Sequence, residues 1–154
     1  MKYLLGVTLA LAAMPLFVYS QGAAPAQPPA PLTTVAFVDH EKVAQALAKG
    51  ERMVTASDVR VSGNRRDKPG QVEVHDKEMD VVYMIDGSAT LVTGGTMVGG
   101  KNNSPGQWLG TDITGGTTQQ LVKGDVVVIP AGVPHWFKEV QTPINYYLVK
   151  VIKP

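Results

Sequence analysis

GDVVVIPAGVPHWFKE, residues 124–139, is the stretch in which turn and strand signals follow each other most closely. Its β-branched run, Val126 to Ile129, predicts a short strand that is buried on both faces. Pro130 ends that strand because proline has no N–H for the ladder, and Gly132 permits a tight turn. His135 then follows a second proline and opens the next strand. An imidazole on such a rigid corner suits a metal ligand or a general base.

The spacing of four residues in this stretch resembles the second sequence motif of the cupin superfamily. That motif reads Gly, five residues, Pro, one residue, Gly, two residues and His, and Gly124, Pro130, Gly132 and His135 fill it without a gap. The family often has Asn four residues after the His, where this chain has Glu139. The resemblance implies an all-β fold, a cupin-type double-stranded β-barrel of the jelly-roll kind.

The segment Val72–Gly87 resembles the first cupin motif, with two substitutions. The family pattern is His-x-His, three or four residues, Glu, six residues and Gly. Counted back from Gly87, its positions fall on Glu73, His75 and Asp80, so a Glu replaces one His and an Asp replaces the Glu. Residues two apart in a strand face the same side, so Glu73 and His75 are expected to point together.

The resemblance implies a metal site formed by Glu73, His75, Asp80 and His135. Two imidazoles and two carboxylates suit a divalent transition metal such as Mn, Fe, Ni or Zn. Asp80 is one methylene shorter than Glu, so it reaches an ion only if its strand lies closer or through a water molecule. The alternative is a barrel without metal in which these groups hydrogen-bond one another. Glu73 is also the candidate catalytic base, provided that burial raises its pKa.

Two polar side chains are predicted to reach the pocket. Arg65, in the pair Arg65-Arg66, is the candidate for holding a substrate carboxylate or phosphate in a bidentate pair. The alternative is a solvated charge at the rim. One of Gln119 and Gln120 should face inward, and Gln119 is the candidate for holding a substrate oxygen. The alternative for this segment is a solvent-facing strand edge.

Two aromatic side chains complete the predicted pocket. Phe137 is two residues after His135 and therefore on the same face, where it is expected to line the pocket floor. Tyr146 and Tyr147 face opposite ways, so only one can project inward. Tyr147 is the candidate for the inward position. A phenol inside a barrel usually has a hydrogen-bond partner, which makes the inward tyrosine a candidate pocket donor. A plain core residue is the alternative.

The chain divides into three parts. Residues 1–20 are typical of an export signal, with Lys2 followed by an apolar run over residues 4–18. An uncleaved N-terminal anchor is the alternative. Residues 21–32 are rich in Pro and Ala and predict a disordered linker, so the cupin domain is expected over residues 33–154. The export signal implies a periplasmic or secreted protein with no membrane contact after cleavage.

Capping residues, a turn dipeptide and a proline predict further secondary-structure elements. Asp39 and Gly50 are typical of the two caps of one short N-terminal helix. Asp86-Gly87 predicts a hairpin turn between two strands, and Pro143 is expected to interrupt the strand before residues 144–152. The Gly- and Asn-rich region 94–116 has no sustained periodicity and is expected to hold short strands or loop segments.

Composition narrows the class of function. The formal net charge is +1 at pH 7, so no basic surface for nucleic acid is predicted, and without Cys there is no disulfide framework. The resemblance implies an exported single-domain cupin that binds a divalent transition metal and acts on or binds a small organic molecule. A homodimer and a metal-dependent dioxygenase, isomerase or lyase fit it. The alternative is a non-catalytic small-molecule-binding cupin module without metal.

Overall fold

The computed structural model describes residues 28–154, so the predicted export signal and the first part of the predicted linker lie outside the described residues. One helix and eleven strands form the domain. Their bounds are α1 His40–Lys49, β1 Arg52–Thr55, β2 Val59–Arg66, β3 Val72–His75, β4 Glu78–Thr93, β5 Thr96–Val98, β6 Lys101–Ser104, β7 Gln107–Gly110, β8 Asp112–Thr114, β9 Thr117–Val122, β10 Val126–Ile129 and β11 His135–Ile152. The predicted fold class, an all-β jelly roll with one short helix, is confirmed.

The helix begins and ends where its capping residues predict. The Asp39 side chain accepts a hydrogen bond from the Lys42 backbone N–H at 2.8 Å, and Gly50 ends α1 in the left-handed conformation. The helix packs on β2 at Gly63, where a Cβ atom would lie only 2.7 Å from the Leu47 nitrogen. A glycine in mid-strand therefore permits close helix–sheet packing.

Strands β4 and β11 are the frame of the barrel, because they pair with each other along almost their whole lengths. The predicted hairpin turn at Asp86-Gly87 is wrong, since β4 runs through both residues, and β11 likewise runs through Pro143. Gly87 has a φ of 82°, and a Cβ atom there would lie 2.2 Å from the Pro143 carbonyl oxygen. Gly87 therefore lies at a bend where β4 and β11 approach closely. Both strands continue through this bend, so each contributes to both halves of the barrel.

Among the strands of residues 28–154, β10 pairs with β4 alone. The prediction that it is buried on both faces is wrong, because Val126 and Val128 are 60% and 55% exposed while Ile129 is buried. Both exposed valines point out of the barrel, where no element of the described chain covers them. A continuous apolar run was therefore a poor guide to burial on the outer face.

The barrel interior is apolar at its centre and polar where β3, β4 and β11 meet. The central cluster comprises Val82, Met84, Ala89, Leu91, Leu121, Ile129, Phe137, Ile144 and Tyr146. Three of the five buried polar residues, His75, Asp80 and His135, are predicted metal ligands. Within residues 28–154 no helix has the length and apolar character needed to cross a membrane.

Candidate metal site

Three strands bring the four predicted ligands together. Glu73 and His75 lie on one strand, β3, which pairs with β11 directly at His135 and Glu73. Asp80 comes from β4, and its Oδ2 lies 3.6 Å from the Nε2 atoms of both His75 and His135. The Glu73 carboxylate lies 3.4 Å from the His75 Nε2. The four side chains therefore adjoin one another through His75. It shares one possible ligand group with Glu73 and His135, and a second with Asp80 and Glu78.

Each imidazole is oriented by a hydrogen bond on its other ring nitrogen. His75 Nδ1 donates to the side-chain carbonyl of Gln107 at 2.5 Å, and His135 Nδ1 donates to the Val133 backbone carbonyl at 3.0 Å. Because carbonyl oxygens only accept, both Nδ1 atoms carry the proton and both Nε2 atoms can present a lone pair. This arrangement is common for histidines that bind metals.

The donor set fits a divalent transition metal. The Nε2 of His75 is buried and has no hydrogen-bond partner among residues 28–154, which is a costly state for a polar atom. Ligand atoms that each lie about 2.1 Å from a tetrahedral ion are about 3.4 Å apart. The observed separations of 3.4 and 3.6 Å are close to that spacing. Nitrogen and carboxylate donors also match the preferences of Zn, Mn, Fe and Ni.

Lys150 is a charged neighbour of the predicted ligands, and no motif in the sequence pointed to it. Its Nζ lies 2.7 Å from Asp80 Oδ1 and 3.1 Å from a Glu78 oxygen, and Glu78 also pairs with Arg60. Asp80 therefore gives one oxygen to Lys150 and turns the other towards the imidazoles. Glu78 could contribute to a ligand group with His75 and Asp80, but its two cationic partners already neutralise it.

The electrostatics of the cluster favour positive charge between the carboxylates. Burial lowers the pKa of His75, but the Asp80 and Glu73 carboxylates outweigh it and raise that pKa to about 9. Burial likewise opposes ionisation of Asp80 and Glu73, yet His75 and other nearby cationic groups lower both pKa values. Burial lowers the pKa of His135. Without an ion, the site therefore holds a proton on His75 where a metal would sit.

A cavity of about 160 Å³ adjoins the cluster. Its walls include Glu73, Asp80 and His135 as well as side chains of β2 and the second half of β11. The lining residues are Asn64, Arg66, Gly70, Gln71, Glu73, Asp80, Val82, Ile129, His135, Phe137, Tyr146 and Leu148. Phe137 lies in this lining, where the sequence analysis expected it.

The prediction that Arg65 reaches the pocket is wrong, because the next residue takes that place. Arg65 is exposed and does not line the cavity, whereas Arg66 does. Strand β2 places Asn64 and Arg66 on the inner face, so the residue between them points outward. Gln119 is also outside the cavity. It is exposed near the start of β9 and accepts a hydrogen bond from Thr93 at 3.4 Å.

The predicted tyrosine is likewise replaced by its neighbour. Tyr146 lines the cavity, while Tyr147 lies on the outer face and stacks on Tyr83 with ring centroids 6.4 Å apart. Strict alternation from His135 would bring Tyr147 inward. However, β11 has register irregularities between Phe137 and Tyr146, and these exchange the inward and outward positions.

Comparison with known proteins agrees with this architecture. The family model described as Cupin matches residues 35–151. A crystal structure of a protein from Bacillus halodurans is 12% identical, with a TM-score of 0.55, and the match covers 81% of this chain and 87% of that one. A cupin protein from Bacteroides fragilis is 14% identical with a TM-score of 0.44, covering 62% and 66% of the two chains.

Another match is the DMSP lyase DddQ from Ruegeria pomeroyi, which is 14% identical with a TM-score of 0.44. That match covers 62% of this chain and 39% of the lyase, so this chain spans less than two thirds of the length of the lyase and of the Bacteroides protein. Sequence comparison finds no match among curated proteins. At such low identities the structural likenesses show the fold alone. The family match covers most of the chain, and the protein therefore belongs to the cupin family.

Proposed function

We propose that this protein is an exported cupin that binds one divalent transition metal and acts on or binds a small organic molecule in the adjoining cavity. The proposed ligands are Glu73, His75, Asp80 and His135. The buried Nε2 of His75 is the observation that carries the proposal. It has no partner in the described chain, yet it faces two carboxylates and a second imidazole.

The bound ion would supply Lewis-acid polarisation of a ligand oxygen. The chain itself supplies orientation. Gln107 and Val133 hold the two imidazoles in the Nε2-facing form, and Phe137 and Val82 form an apolar part of the cavity wall. A small ligand would lie against the ion with these apolar side chains beside it.

Glu73 is better suited to bind the ion than to act as a general base. A general base requires a raised carboxyl pKa, and burial alone would raise the pKa of Glu73. The neighbouring imidazoles of His75 and His135, together with Lys150, nevertheless lower the pKa of Glu73. A carboxylate with a lowered pKa is a weak base but a good anionic ligand for a cation.

A non-catalytic module without metal is the second candidate, and one observation favours it. Lys150 pairs with Asp80 and Glu78, and Arg60 pairs with Glu78, so much of the negative charge is already neutralised. In this candidate the proton on His75 replaces the metal permanently. The cavity would then bind its ligand through protein side chains alone.

Metal content separates the two candidates. After incubation with Zn, Mn, Fe or Ni and removal of free ions, elemental mass spectrometry should find about one ion per chain of wild-type protein. His135→Ala should lose the ion, because it removes a ligand from the centre of the site. His40→Ala is the matched control, since His40 is exposed on α1 and should retain the ion. No ion in the wild-type protein would contradict the proposal.

We also propose a homodimer formed through the outer face of β10, β4 and β11. Apolar side chains lie there in adjacent register, with Val126 beside Tyr83 and Tyr83 beside Tyr147. Val128 is 55% exposed in the next row. Light scattering should report a dimer for the wild-type protein and a monomer for Val128→Lys, whereas Thr118→Lys on β9 should stay dimeric. A monomeric wild-type protein would refute this part.

A further inference from the structure

Arg66 is a cation inside the cavity without a counter-ion. Its Nε is buried and has no hydrogen-bond partner in the described part of the chain. Arg60 and Lys150, the other cations near the site, each pair with carboxylates, but no Asp or Glu of residues 28–154 lies within ion-pair distance of Arg66. An arginine that lines a cavity without an anionic partner is ready to receive one from a ligand.

The surroundings that hold the Arg66 head group are uncharged, and they include the Tyr146 hydroxyl as a hydrogen-bond neighbour. The guanidinium carbon lies 5.3 Å from the centroid of the Phe137 ring. Gly70 closes the other side, and a Cβ atom there would lie 2.8 Å from an Arg66 terminal nitrogen. Gly70 is itself fixed, because its N–H donates to the Phe137 carbonyl and its carbonyl accepts from the Trp136 indole. An aromatic ring and a glycine fix the guanidinium, and neither of them accepts its hydrogen bonds.

We propose that Arg66 binds the carboxylate of a small monocarboxylate whose other oxygen-bearing end points towards His135 and Asp80. This rests on the proposed function for that end of the ligand, while the contact with Arg66 stands on its own geometry. Phe137, on which Arg66 packs, and His135 are two residues apart on one strand, or about 7 Å between Cα atoms. A ligand of a few carbon atoms spans that distance.

Size and charge both favour a monocarboxylate. A cavity of about 160 Å³ limits the ligand to a small molecule. Glu73 and Asp80 line the same cavity, and one divalent ion bound between them balances their two charges. Arg66 then leaves one positive charge for the ligand, which a single carboxylate matches and a doubly charged phosphate exceeds.

Isothermal titration of the zinc-loaded protein with lactate tests the proposal, with lactamide as the uncharged analogue and inorganic phosphate as the competing anion. The wild-type protein should bind lactate more tightly than either. Arg66→Gln should weaken lactate binding roughly ten- to hundredfold, the range expected for a charged hydrogen-bonded pair. Arg65→Gln should bind lactate as the wild type does, because Arg65 is the exposed neighbour.

Gly70→Ala is a second variant that keeps the charge and displaces the guanidinium, so it should weaken lactate binding by a smaller factor. Arg66→Gln that binds lactate like the wild type would overturn the proposal. So would a wild-type protein that prefers phosphate or binds no lactate at millimolar concentration. Zinc content of each sample is measured in parallel. A protein that binds no zinc but loses lactate binding in Arg66→Gln would refute the metal site and support the Arg66 site.

Discussion

His75 should make the metal-free protein less stable as the pH rises from about 6 to above 9. The neighbouring carboxylates raise its pKa in the folded protein to about 9, while the value expected for an unfolded chain is 6.5. A group with a raised folded pKa contributes stability that is complete below the unfolded value. That contribution is lost as the pH passes upward through the folded value. The direction is opposite to that of the acidic groups, whose contributions are lost only at low pH.

The magnitude follows from the separation of the two pKa values. Each unit corresponds to about 1.4 kcal/mol, so the full contribution of His75 has an upper limit of about 3.5 kcal/mol. The residue is only 7% exposed, so solvent screening removes little of this energy. Against a total stability of about 5–15 kcal/mol for a domain, the change is easily measured.

Urea unfolding in the presence of a chelator, at pH 6, 7.5 and 9.5, measures the effect. The wild-type free energy of unfolding should fall over this range by more than that of His75→Gln, which cannot hold the proton. His40→Gln should follow the wild type, because that histidine is exposed on α1. Equal pH dependence in the wild type and His75→Gln would refute the charge arrangement described here.

Two further substitutions test the orientation of His75 and the bend at Gly87. Gln107→Leu removes the acceptor that orients His75, so it should lower metal affinity roughly ten- to hundredfold with little change in folding, as measured by competition with a chromogenic chelator. Gln119→Leu, at an exposed position, is the matched control, and an unchanged affinity in Gln107→Leu would contradict the orienting role. Gly87→Ala should lower the free energy of unfolding by at least about 2 kcal/mol, because the new Cβ would overlap the Pro143 carbonyl and φ is positive. Urea unfolding checks this, and a stability equal to the wild type would show that the bend accommodates a side chain.

Local spacing in the sequence predicted which four side chains lie near one another, while their role as metal ligands stays a prediction. The two motifs predicted that residues 73, 75, 80 and 135 would meet, and the geometry brings these four side chains together. The helix was also predictable, because its caps depend on residues within one turn of each end. These features depend on residues that are close together in the sequence, so the sequence alone predicts them.

The residues that contact the predicted ligands could not be predicted, because their positions depend on strand pairing between distant segments. Gln107 reaches His75 only because β7 pairs with β3, and Lys150 reaches Asp80 only because β11 and β4 pair in that register. The prediction of Tyr147 rather than Tyr146 as the pocket residue was wrong, because the register of β11 is irregular between Phe137 and Tyr146. A bulge moves every later side chain to the other face. Pro143 marks one of these irregularities in the sequence, but not how many residues the register shifts there.

X-ray absorption spectroscopy of the metal-loaded protein tests the central claim most directly, because it counts the imidazole and oxygen ligands of the bound ion. The four-ligand site predicts two imidazole nitrogens and at least two oxygens around the ion in the wild-type protein and in His40→Ala, whereas His135→Ala should hold no ion. An ion with fewer than two imidazoles in the wild-type protein, or no bound ion to measure, would contradict the account.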